Sequence, residues 1–166
     1  MGRKIEKPNF GEIMARQKVT PFLWFDHEAE EAANFYVSLF PDSAITSVTP
    51  GPGGKALVVE FKLAGIHYLA LNGCPYYKLT EAFSLSIDCQ TQSEVDMYWD
   101  KLTEGGSTSR CGWLKDKFGL SWQVVPTILP ELLGDADHEK AGRVMNAMMG
   151  MIKLDIQVLK QAGEKP

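Results

Sequence analysis

Residues 19–41 read VTPFLWFDHEAEEAANFYVSLFP, and the fold turns on how this stretch is parsed. Val19 to Phe25 is short, apolar and aromatic, which marks a buried strand with Pro21 constraining its start. Asp26 offers a cap. Beyond it, apolar or small residues fall at Ala29, Ala32, Ala33, Phe35, Tyr36, Leu39 and Phe40. That is amphipathic helical spacing, with acids in the first turn and Pro41-Asp42 as the stop. Further out lie a weaker strand, AITSVT (44–49), and a Pro50-Gly51-Pro52-Gly53-Gly54 turn. Two strands follow, ALVVEFKL (56–63) and HYLALN (67–72), with Ala64-Gly65 placed to close a hairpin.

The order strand, helix, three strands then starts again. EAFSLSIDC (81–89) reads as a strand, and TQSEVDMYWDKLTEGG (91–106) as a helix capped at Thr91 or Ser93 and stopped at Gly105-Gly106. Ser107 to Cys111, Gly112 to Lys115 and SWQVVP (121–126) complete it, the last after a turn at Asp116-Lys117-Phe118-Gly119. Residue identity between the halves is weak; the shared feature is the plan. The expected layout is an N-terminal arm over 1–17 and a single α+β domain over 18–166. Its two βαβββ modules cover about 18–73 and 81–126, and a C-terminal helix covers about 136–161. The helix is read from an apolar stripe of Val144, Met145, Met148, Met149, Ile152, Ile156 and Leu159, best suited to packing on the domain or on a second subunit.

Composition narrows the function. With 166 residues, 45% of them hydrophobic and 23% charged, the chain has the makings of one globular core. A net charge of −4 with scattered Lys and Arg argues against nucleic acid, whose phosphates call for clustered cations. No long apolar run suggests a membrane span, and the opening MGRKIEKPNFGEIMARQK lacks the apolar centre of a signal peptide, so a cytoplasmic protein is expected. The three cysteines, Cys74, Cys89 and Cys111, form no CxxC pair and read as reduced thiols. Cys111, beside Arg110, reads as a small packed residue more readily than a reactive thiol.

The runs at 19–41, HYLALNGCP (67–75) and KDKFGLSWQVVP (115–126) resemble the vicinal-oxygen-chelate superfamily of glyoxalases, ring-cleaving dioxygenases and antibiotic-resistance proteins. Within it the chain is most similar to the PhnB-like group labelled 3-demethylubiquinone-9 3-methyltransferase domain. The likeness runs from about Lys18 to Ala162. It implies paired βαβββ modules that curve a mixed sheet around a cleft, commonly completed in a homodimer. Where such enzymes hold a divalent metal, the four ligand positions map near Pro21, Ala70, Ala82 and Gln123. Only Gln123 carries a donor side chain, so no metal and no cofactor are expected. His67 and Glu60 are the conceivable substitutes, although His67 reads as a surface or turn residue. The methyltransferase label finds no glycine-rich turn leading into a helix, because Gly51, Gly53 and Gly54 precede a strand.

If the concave side follows the ligand-equivalent positions, alternation puts Leu23, Phe25, Tyr68, Asn72, Ser84, Ser86, Ser121 and Gln123 on the cleft, with Cys111 and Trp113 completing its wall. Phe22, Trp24, Leu69, Leu71, Phe83, Leu85, Ile87, Trp122 and Val124 would then pack against helices. Aromatic bodies mixed with hydroxyl and amide groups suit a small-molecule pocket, and no nucleophile and base pair is evident. The reading is therefore a metal-free protein that binds a small aromatic or polar ligand, as a homodimer, without nucleic acid or membrane. A lyase or dioxygenase with substituted ligands, and a dimeric interaction module, are the alternatives.

Overall fold

A computed structural model describes residues 17–164, so the expected arm over 1–17 lies outside the described residues except for Gln17. The first half runs β1 (Phe22–Phe25), α1 (Ala29–Leu39), β2 (Ala44–Pro50), β3 (Ala56–Leu63) and β4 (Ile66–Asn72). The second runs β5 (Ser84–Cys89), α2 (Gln92–Thr103), β6 (Ser107–Thr108), β7 (Trp113–Lys115) and β8 (Ser121–Pro126). Each half makes its own four-stranded mixed sheet, ordered β1-β4-β3-β2 and β5-β8-β7-β6. The first strand of each half pairs in parallel with the last, and the other neighbours are antiparallel. This α+β repeat is the architecture expected.

Local chemistry explains the elements. α2 opens on a full capping box, in which the Thr91 side chain accepts from the Glu94 amide and Glu94 reaches back to the Thr91 amide. α1 has no side-chain cap of its own; Asn72 supplies one from β4, its Oδ1 accepting from the Ala29 amide at 2.8 Å. Ala64 and Gly65, with φ of 46° and 85°, form the left-handed pair that a two-residue hairpin between β3 and β4 requires. Cys111 and Gly112 also take positive φ, 58° and 80°, and this turn cuts the expected strands there down to β6 and β7.

The expected helix over 136–161 is two helices, α4 (His138–Met149) and α5 (Ile156–Glu164), preceded by a short α3 (Ile128–Leu133). The backbone leaves the helix at Gly150 because its carbonyls are taken elsewhere. The Cys111 and Gly112 amides donate to Met151 O and Ile152 O, each at 2.8 Å. Leu154, fully buried, then plugs a small core with Leu129, Val144 and Leu159. The stripe was real, but a helical period does not reveal a detour made for hydrogen bonds with another segment.

One larger core spans both halves. The buried face of α1 (Ala29, Ala32, Ala33, Tyr36) lies on Leu23, Val59, Phe61 and Ala70, while α2 buries Val95, Trp99 and Leu102 over the second sheet. Aromatic rings tie the two together: Tyr36 meets Trp122 at 5.4 Å, and Phe40 stacks on both Trp122 and Tyr98. Trp122 is 1% exposed, a burial that favours the folded state by about 2–3 kcal/mol.

Candidate functional site

Each sheet has one face under its helix and one turned away. On the second sheet, Leu85, Ile87, Trp122 and Val124 face the core, as expected, and Ser84, Ser86, Ser121 and Gln123 occupy the opposite face, whereas Phe83, expected inside, precedes β5 and is 43% exposed. Register brings the polar residues together, with Ser84 beside Ser121, Ser86 beside Gln123, and Gln123 beside Trp113. The Gln123 amide donates to Ser84 Oγ at 2.9 Å.

The first sheet is turned over relative to the expectation. Leu23, Phe25 and Tyr68 are 2%, 3% and 7% exposed and belong to the core, so Leu23 and Phe25 pack under α1. Asn72 is spent on holding the start of α1 and on donating to Ala56 O. The outer face carries Phe22, Trp24, Leu69 and Leu71, which were expected inside; Phe22 is 53% exposed. Cys111 is not in a strand wall at all. It sits in the β6–β7 turn, with Sγ 3.7 Å from Met149 Sδ.

The outer face of the second sheet carries a cavity of about 210 Å³, lined by Glu81, Ser107, Thr108, Ser109, Trp113, Lys115 and Ser121. Lys115 and Glu81 close one side through an ion pair of 2.5 Å, and that bond holds the Glu81 carboxyl below its ordinary range. Ser121 is 1% exposed, and its hydroxyl has no hydrogen-bond partner among the described residues. A buried hydroxyl without a partner is costly, and this one lines a cavity rich in polar groups.

The positions mapped to metal ligands do not make a metal site. Ala70 is fully buried under α1, Pro21 and Ala82 have no donor side chain, and the Gln123 amide nitrogen is bonded to Ser84. Moving the first-sheet alignment by one residue, as the observed faces require, brings in Thr20, Phe22, Leu69 and Leu71 and adds no strong ligand. Glu60 and His67 do share that outer face, one row apart, since Glu60 pairs with Leu69 and His67 with Lys62. Among the described residues no three His, Cys, Asp or Glu side chains come together.

Asp116, whose sequence setting marks only a turn, is a buried acid. It is 3% exposed and accepts from Tyr36 OH and Trp122 Nε1, each at 2.8 Å, and from the amides of Phe118 and Leu120 at 2.9 and 3.1 Å. Every lone pair is engaged, so its work is to bind the two halves together. Its only signal in the sequence is the density of aromatic residues around it in DKFGLSW.

The DKFGLSWQVVP segment that carries Asp116, Ser121 and Gln123 falls within a wider match. The family described as 3-demethylubiquinone-9 3-methyltransferase matches residues 17–125. The chain belongs to this family. A structure described as a putative 3-demethylubiquinone-9 3-methyltransferase, PhnB protein, from Bacillus cereus is 35% identical, with a TM-score of 0.62 over 67% of this chain and 100% of that one. A protein from Pseudomonas aeruginosa is 20% identical, with a TM-score of 0.54 over 66% of this chain and 97% of that one. The fosfomycin resistance protein FosX of Listeria monocytogenes shares the fold at 15% identity, with a TM-score of 0.54 over 74% and 100% of the two chains. No curated protein matches the chain significantly. The expected likeness to the PhnB-like group labelled 3-demethylubiquinone-9 3-methyltransferase holds, and the match to FosX shows a shared fold. The family match ends at 125, short of the expected Ala162, so α3, α4 and α5 lie beyond it. The family's methyltransferase description gains nothing from Gly53 and Gly54, which end a short turn between the antiparallel strands β2 and β3 and open no helix. No helix among the described residues is long and apolar enough to cross a membrane.

Proposed function

We propose that this protein binds a small polar or aromatic molecule over the outer face of its second sheet, without a metal, in a cleft that a second copy of the chain completes. The single observation that carries the reading is the cavity on that face, which presents Lys115, Glu81 and Trp113 beside Ser107, Thr108 and Ser109. Trp113 offers a ring face, Lys115 and Glu81 offer charged groups, and Gln123 with Ser84 extends the polar surface. The second copy is supported by the first sheet, whose outer face presents Phe22, Trp24, Leu69 and Leu71 and gains from being covered. The donor set at the mapped ligand positions supports the metal-free reading, and a cytoplasmic location accords with unpaired cysteines.

The test is a thermal-shift and native mass-spectrometry screen of the purified protein against aromatic and quinone-like metabolites. A stabilising class that loses its effect in Gln123→Leu, on a particle of twice the chain mass, is the expected result. If no class stabilises the protein, or the particle is a monomer, the reading fails. A second reading, an enzyme using substituted ligands, draws on Glu60 and His67 sharing one outer face. Elemental analysis of protein purified without chelator separates the two, since a stoichiometric transition metal lost in His67→Ala selects the enzyme.

A further inference from the structure

The two halves enclose a pocket between them that is separate from the cavity holding Ser121. Its volume is about 290 Å³, and it is lined from the first half by Phe40, Leu63, Ile66 and Tyr68 and from the second by Leu85, Ile87, Tyr98 and Trp122, with Ser86 and Asp88 along β5. A stack of aromatic rings forms part of its wall. Phe40 stacks on Tyr98 at 4.9 Å and 14°, and on Trp122 at 5.8 Å and 13°, so three rings lie nearly parallel.

Tyr68 is 7% exposed, and its hydroxyl makes no hydrogen bond among the described residues. Among the described residues only Ser121 has a fully buried side-chain polar atom without a partner, so the Tyr68 hydroxyl keeps contact with open space, and the pocket it lines supplies that space. Burial has also raised the phenol above its ordinary range, which keeps it a neutral donor and acceptor. Asp88, exposed at the lip, places a negative charge where an anionic ligand would have to enter.

We propose that this pocket between the halves binds a planar, uncharged aromatic molecule bearing a hydrogen-bonding group, its ring against the Phe40 wall and its polar group on the Tyr68 hydroxyl. The aromatic lining favours a ring, because stacked or edge contact with aromatic side chains exceeds what apolar area alone provides. The phenol selects a polar end, since a buried donor left unmatched penalises a purely apolar guest. Asp88 disfavours a carboxylate. Both halves contribute walls, so the guest stabilises the assembled domain and not either half alone.

The test is an NMR titration with p-cresol and indole, using cyclohexanol and benzoate as contrasts, with thermal melting in parallel. The expected result is that p-cresol and indole shift the resonances of Tyr68, Leu85 and Trp122 and raise the melting temperature. Cyclohexanol and benzoate should bind roughly tenfold more weakly or worse. Ile66→Trp, at a partly exposed position on the rim, should abolish binding while leaving the spectrum of a folded protein. Tyr68→Phe should weaken p-cresol about two- to tenfold. Asp88→Asn should narrow the gap between benzoate and p-cresol, and it stands as the second variant should Ile66→Trp fail to fold. Equal binding of cyclohexanol, shifts confined to Trp113 and Ser121, or full binding by Ile66→Trp each overturn the proposal. The Gln123→Leu variant keeps this site intact, so failure here and failure of the cleft are read separately.

Discussion

The hydroxyl of Tyr36 donates to Oδ2 of Asp116 across 2.8 Å, joining the helix of the first half to the turn before the last strand of the second. Tyr36→Phe keeps the ring and removes that bond, with an expected loss of about 1–2 kcal/mol. Asp116→Leu strands all of the donors that converge on the carboxylate and should lose roughly 3 kcal/mol or more. Urea unfolding of both variants measures the difference. Equal, small losses would show that the carboxylate is not the hub of the contact.

The same carboxylate sets a pH dependence. Burial raises the Asp116 carboxyl above its ordinary range, against the pull of the Trp122, Tyr36, Phe118 and Leu120 donors. The folded chain therefore holds this proton more tightly than the unfolded chain does. The stabilisation it contributes is complete below the unfolded pKa, near 3.8, and is lost as pH rises through the folded value. Carboxyl ¹³C titration should place Asp116 above free aspartate, and Tyr36→Phe should push it higher by removing a donor to the charged form. A downward shift in the variant would contradict this account.

Gly106 and Gly73 admit no side chain, for different reasons. A Cβ on Gly106 would lie 2.1 Å from the backbone oxygen of Lys115, and one on Gly73 would lie 2.2 Å from the Trp24 indole. Each Gly→Ala change should destabilise by about 1–3 kcal/mol. Trp24 Nε1 donates to Cys74 O at 2.9 Å, so only Gly73→Ala should disturb that bond and with it tryptophan fluorescence.

Ser121→Ala separates stability from binding. Removing a buried hydroxyl that has no partner should leave the free protein as stable as before, or more stable by about 1 kcal/mol. Any ligand found in the cleft screen should bind the variant unchanged, because the hydroxyl has no surface open to the cavity. A variant that melts earlier would mean that the hydroxyl already has a structural partner.

Thr91→Ala removes the α2 capping box and should lose about 1 kcal/mol in thermal or denaturant unfolding. Ser93→Ala, inside the helix, should change little.

The elements were legible wherever their signals are local. Thr91 with Glu94, the Ala64-Gly65 turn and the spacing of α1 each declare themselves within a few residues. The facing of the second sheet was legible too, because Ser84-Leu85-Ser86-Ile87 alternates polar with apolar. Phe22-Leu23-Trp24-Phe25 has no such contrast. Its faces were assigned from an alignment that stood one residue out, and in a strand one residue exchanges every side chain between core and exterior. That shift put Leu23, Phe25 and Tyr68 on the wrong side and left Phe22 and Trp24 inside.

What local reading missed came from partners distant in sequence. Asn72 carries no mark of the helix it holds, and nothing next to Asp116 announces that Tyr36 will reach it. The detour at Gly150–Asp155 depends on two amides in the Cys111 turn. In each case a polar group finds its match 40 or more positions away, and the direction of that search is set only once the sheets exist.

The core shared through Tyr36, Phe40 and Trp122 bears on how the repeat behaves as a molecule. Two copies of one plan suggest two tenants that could each live alone. Here the helix of one half ends its aromatic face on the tryptophan of the other, and the acid that secures the join has no substitute on either side. Cut between Gly73 and Ser84, the chain should yield fragments that recover structure only when mixed, because the repeat has exchanged self-sufficiency for a common interior.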